Sequence, residues 1–165
     1  GNNLEEKKKV AIRLLEQMKV GPNESHDEQF HYVLNQMKEM MELITDLSRR
    51  YPDEKIIIRP HPSEDIETWK GFAEGKENVL VVREGSLNPW LLEADLVLQN
   101  NCTSAIESMY MHVPCISYRP IVDIRFDQPL PNILSKNVFS KEEAIHVVDT
   151  IIKGGKVLFD FQDIT

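Results

Sequence analysis

The sequence predicts an α/β domain built on a doubly wound parallel sheet of about five strands, with helices on both faces. Three observations lead to this. The apolar runs are short and continuous rather than alternating, as in strands buried on both sides. Segments with apolar residues at helical spacing separate them, and strands alternating with helices imply parallel pairing through right-handed crossovers. Cationic and polar residues then collect just past the runs, where open parallel sheets hold their ligands.

The elements follow in chain order. Residues 4–19 (LEEKKKVAIRLLEQMK) place Leu4, Val10, Ile12, Leu14, Leu15 and Met18 among charges, an amphipathic helix. The stretch 20–28 (VGPNESHDE) reads as a linker by its Gly, Pro, Asn and Ser content. Residues 1–27 thus form an N-terminal helix and linker, and 28–165 the main domain. A long helix over 28–50 is predicted from Phe30, Val33, Leu34, Met37, Met41, Leu43, Ile44 and Leu47, with Arg49 and Arg50 suited to its C-terminus and Pro52 ending it. Strands are predicted at 55–59, 78–83, 95–100, 114–119 and 137–140. Helical pieces fall at 63–74, 86–94, 103–112 and 140–153. The last opens on Ser140 as N-cap, with Glu143 three residues on as its capping-box partner.

Length and composition set bounds. At 165 residues the chain is one domain's worth, with an apolar fraction of 41% that suffices for a core. A net charge of −8 speaks against nucleic acid as a partner, because backbone binding needs a basic face. Cys102 and Cys115 have no metal-ligand spacing and read as reduced thiols of a cytoplasmic protein. No metal site is expected. No apolar stretch reaches the roughly 20 residues of a membrane helix. Because the chain starts at Gly1, it is expected to be a piece of a longer protein.

The strand ends hold the candidate chemistry. Of seven arginines, Arg59, Arg83, Arg119 and Arg125 fall at or just past predicted strands. Arginine suits bidentate binding of phosphate or carboxylate, so their clustering in an acidic chain points to an anion pocket; the competing reading is surface pairing with the many acids. His61 sits between Pro60 and Pro62, which fix the local backbone and aim the imidazole, a group able to become a cation beside a phosphate. In "QNNCTSAIES" a strand gives way to a helix start whose free amides, with Asn101, Thr103 and Ser104, suit an anion. Glu107 stands one turn further on, as a sugar-hydroxyl acceptor or as the second half of a Ser104 capping box. The absence of glycine there excludes a Walker loop and a dinucleotide fingerprint.

Residues 54–120 resemble the C-terminal, nucleotide-sugar-binding half of GT-B-fold glycosyltransferases, Rossmann-like in architecture. They are closest to bacterial surface-carbohydrate and capsule enzymes such as sialyltransferases, Kdo transferases and CDP-glycerol glycerophosphotransferases. The likeness lies in His61-Pro62 of "RPHPSED", then Thr103, Ser104 and Glu107 of "NNCTSAIES", then "VPCISY", in that order. It implies that His61 makes the catalytic contact with the nucleotide phosphate, that Thr103 and Ser104 bind phosphates, and that Glu107 holds ribose hydroxyls or orders the loop. Arg83 to Leu87, Ser86 included, would lie near the base. The strand-end reading adds Arg59, Arg119 and Asn101 to the set, and the resemblance implies a CMP- or CDP-linked donor as substrate and no cofactor. Such enzymes carry a second, N-terminal acceptor domain. The single domain here is therefore expected to bind the donor but not to catalyse transfer alone, and to meet a membrane only peripherally through the full-length protein.

Two other readings stand beside this one. A nucleotide-sugar 2-epimerase-like domain shares the polar helix start, but its loop is more glycine-rich than "NNCTSA". A non-catalytic, flavodoxin-like binding or assembly domain shares the sheet; its receiver-type form needs acids where this chain has Arg59 and His61.

Overall fold

The computed structural model describes residues 24–157; the predicted helix at 4–19 lies outside them. Helix α1 spans Glu24–Arg50, so the residues from Glu24 onward that read as linker belong to the helix. Five strand–helix units follow: β1 Ile56–Ile58, α2 Ile66–Ala73, β2 Val79–Val81, α3 Asn88–Glu93, β3 Val97–Gln99, α4 Ser104–Tyr110, β4 Cys115–Tyr118, α5 Pro129–Ile133, β5 Lys136–Val138 and α6 Lys141–Ile152.

All five predicted strands form and every pairing is parallel, but they do not make one five-stranded sheet. β1 pairs with β2, and β3, β4 and β5 pair in that order as a second sheet. The strands are three or four residues long, so each ladder has few bonds, and between the two sheets packing replaces pairing. One core runs beneath both. Leu43 and Leu47 of α1 pack with Ile116, Tyr118, Val138 and the α6 residues Ala144, Val147 and Val148. Ile44 packs with Ile58, Trp69 and Val79, while Met40 and Ile56 touch both groups and join them. The methionines at 37–41 are thus core-facing, filling irregular space as their flexible thioethers allow.

Strand alternation sends β4 to two different environments. Ile116 and Tyr118 face α1 and α6. Cys115 and Ser117 face α4 and α5, where Ser135 Oγ donates to Cys115 Sγ (3.3 Å) and Ser117 Oγ donates to Asn132 Oδ1 (2.7 Å). The three-stranded sheet therefore carries helices on both faces. Its second layer is polar but satisfied: Gln99 Nε2 donates to Ser135 Oγ (3.2 Å) and Asn137 Nδ2 to Asn132 O (2.8 Å).

The caps follow local chemistry. Asp65 caps α2 by accepting from the amides of Glu67 and Thr68. Ser140 caps α6 by accepting from Glu143 N (3.1 Å), and the Glu143 carboxylate returns to Phe139 N rather than to Ser140 N (2.7 Å). Arg50 at the end of α1 forks onto Asp149 of α6. Among the described residues no helix is long and apolar enough to cross a membrane.

Candidate functional site

The predicted site residues all lie beyond the carboxyl ends of the strands, but they fall into two groups of opposite character.

The first group stands past β1 and β2. Arg59 donates to the carbonyls of Glu84 (3.1 Å), Arg83 (3.3 Å) and Gly85 (2.8 Å). Arg83 reaches back to the carbonyls of His61 (3.4 Å) and Glu64. Each arginine thus holds the other's loop. Their acceptors are neutral, and among the described residues neither guanidinium forms an ion pair, so both positive charges persist at this edge. The Glu84 carboxylate turns back on its own amide and that of Arg83; these bonds, aided by Lys70 and Arg59, hold its pKa below the usual carboxylate value. Ser86 is exposed next to Gly85, whose φ of 77° needs a residue without a Cβ.

His61 is exposed yet held on several sides. Its amide donates to Glu64 Oε2 (2.5 Å), its carbonyl accepts from Glu64 N (2.8 Å), and its Nδ1 meets Ser63 Oγ (2.6 Å) and Ser63 N (3.2 Å). Pro60 is buried beside it. Nε2 is the polar atom of this residue that remains for a ligand.

The second group stands past β3, β4 and β5, and it is neutral and closed. Arg119 pairs with Asp127 (2.6 Å), donates to Asn137 Oδ1 (3.2 Å) and lies 5.6 Å from the Phe139 ring centre. Asp127 also accepts from Tyr32 Oη (2.6 Å); burial, with that bond, raises the Tyr32 pKa. Asn101 has a positive φ of 49° and donates to Tyr32 Oη (2.8 Å) while accepting from Gln128 N (2.9 Å) and Asn132 Nδ2 (3.3 Å). Arg119 and Asn101, predicted as phosphate ligands, tie α1 and the 119–128 segment to the strand ends. Arg125 is a surface residue bound to Asp123 and Glu28, as its competing reading anticipated.

Helix α4 begins just past β3. Thr103, not Ser104, is its N-cap; it has helical backbone angles and no side-chain cap bond, so the Ser104–Glu107 capping box does not form. Ser104 gives its carbonyl to Ser108 Oγ (2.7 Å). One Glu107 carboxylate oxygen is buried without a hydrogen-bond partner among the described residues.

Sequence reading missed Tyr32, Asp127 and Asn132. A shallow hollow of about 250 Å³ bounded by Met41, Asp46, Phe72 and Lys141 lies along α1 and contains none of the predicted site residues. No cluster of three or more His, Cys, Asp or Glu suited to a metal occurs among the described residues.

No family model, curated protein or solved structure matches this chain.

Proposed function

We propose that this domain binds the donor nucleotide of a bacterial surface-polysaccharide glycosyltransferase, with the nucleotide phosphates at the carboxyl edge of the strands. The observation that carries the reading is the pinned, solvent-facing His61 beside Arg59 and Arg83, two cations bound only to neutral carbonyls in a protein of net charge −8. Fixed donors cost a ligand less ordering on binding than mobile ones. The all-parallel strands, in sheets of two and three, are consistent with a Rossmann-like half-domain, and such domains hold ligands beyond the carboxyl ends of their strands. His61 contacts phosphate there, the hydroxyls of Thr103 and Ser104 add donors, and Glu107 meets the ribose. Ser86 lies toward the base. Transfer itself requires an acceptor domain that this domain does not supply.

The test is a thermal-shift panel of CMP, CDP, UMP, UDP, GDP and ADP. A nucleotide at about 100 times its Kd stabilises the fold by about 2.7 kcal/mol, a rise in Tm of about 5–10 °C for a domain of this size. One cytidine or uridine nucleotide is expected to give that rise, and His61→Ala to reduce it without lowering the Tm of the free protein. No rise with any nucleotide, or a rise untouched by His61→Ala, defeats the proposal.

A further inference from the structure

His61 is held in an unusual way for an exposed side chain, and the holding group decides which of its nitrogens carries the proton. A backbone amide can only donate. Ser63 N lies 3.2 Å from His61 Nδ1, so that nitrogen offers a lone pair and the proton of the neutral ring sits on Nε2. The Ser63 hydroxyl, 2.6 Å from the same atom, then donates as well. Both contacts come from a residue two positions along, in a turn closed by Glu64 N onto the His61 carbonyl and by the Glu64 carboxylate onto the His61 amide. Arg83 fastens the same turn from β2 through the carbonyls of His61 and Glu64. The two prolines flanking His61 leave the backbone little other choice.

We propose that Ser63 is a positioning residue that sets the tautomer of His61, so that the imidazole meets its ligand as an Nε2–H hydrogen-bond donor. A neutral Nε2–H donor suits a phosphate oxygen and rejects a ligand that presents a donor at that point. The charge that attracts the anion then comes from Arg59 and Arg83, which do not touch it, and the direction of the contact comes from the ring. The functional consequence rests on the nucleotide-binding reading; the tautomer does not.

The two are separated by measuring the tautomer directly. Long-range proton–nitrogen correlation spectra of the nitrogen-labelled 165-residue chain, recorded across a pH series, report each ring nitrogen as protonated or bare. His61→Gln identifies the signals. In the wild type Nε2 is expected to be protonated and Nδ1 bare. Ser63→Ala removes the hydroxyl donor and keeps the amide, so it is expected to draw the two nitrogen shifts part of the way toward each other as the tautomers begin to mix, and Ser63→Thr to restore them. Backbone amide shifts away from residues 59–65 should stay fixed. CMP affinity should fall about three- to tenfold in Ser63→Ala, the effect of one hydrogen bond. A protonated Nδ1 in the wild type, or ring nitrogens indifferent to Ser63→Ala, overturns the proposal. If the ring behaves as described and no nucleotide binds, the tautomer stands and the nucleotide reading fails.

Discussion

Replacing Asn101 separates what its side chain does from what its backbone does. The residue has φ 49°, a left-handed conformation that asparagine and glycine tolerate and alanine resists. Its amide reaches Tyr32 on α1, the Gln128 amide and Asn132 on α5. With a fourth bond, to Asn100 Oδ1 (3.2 Å), and about 1 kcal/mol each, the side chain's contribution is about 3–4 kcal/mol. Asn101→Gly keeps the backbone and loses those bonds, so it should cost about that much. Asn101→Ala loses the bonds and also strains the backbone, so it should be about 1 kcal/mol less stable than the glycine variant. The assay is urea denaturation read as a change in midpoint at constant slope. A glycine variant within 1 kcal/mol of wild type would mean that the polar network does not hold the strand-end loops. An alanine variant as stable as the glycine one would mean that the backbone is not left-handed in solution.

Further tests address the neighbouring groups. Asp127→Ala strips both Arg119 and Tyr32 of their acceptor in a largely buried place and should cost about 3 kcal/mol in urea denaturation, whereas Asp127→Asn keeps an acceptor and should cost less; equal losses would count against the shared-acceptor geometry. Arg125→Ala, by contrast, removes only exposed pairs and should leave the midpoint unchanged. Burial pushes the Cys115 thiol from 9.0 up to about 11. Between those values the folded chain keeps a proton that the unfolded chain loses, so stability should decline as pH rises through that window, by about 2–3 kcal/mol from this group. Cys115→Ala should flatten that decline while Cys102→Ala leaves it, and a slope indifferent to Cys115 would show that the thiol is not held in its buried setting.

The strands were legible because continuous apolar runs such as Ile56–Ile58 and Val97–Gln99 carry their own signal, and Ser140 announced α6. Pairing was not. Whether β1 lies beside β3 depends on how α1 fills the space beneath them, through Met40 and Ile56, and no local pattern encodes that. Helix α5 was missed because "PLPNI" has two prolines and no helical period, although proline is tolerated in a first turn. Residues 24–28 read as linker because they carry no apolar face until Phe30. Gln99, Ser117, Asn132 and Asn137 were unreadable as interior residues. A polar side chain is buried only if its partner is in place, and those partners lie up to 36 positions away. Which strand-end arginines meet carboxylates and which meet carbonyls was not legible, since sequence shows the cation and not its acceptor.

That acceptor decides what each arginine is able to do. Arg119 and Arg125 meet carboxylates, so their charge is spent within the protein and an approaching anion finds a neutral pair. Arg59 and Arg83 meet carbonyls, which orient a guanidinium without cancelling it. The edge past β1 and β2 therefore keeps two guanidinium groups that no carboxylate among the described residues binds directly, while those past β3 to β5 are paired. On the proposed reading an anionic ligand would be directed to that side, where His61 presents its remaining nitrogen outward. Lysine in place of either arginine would keep the charge but lose the fork that spans two or three carbonyls. Arg83→Lys should therefore leave long-range attraction of an anion intact and loosen the turn that aims the imidazole.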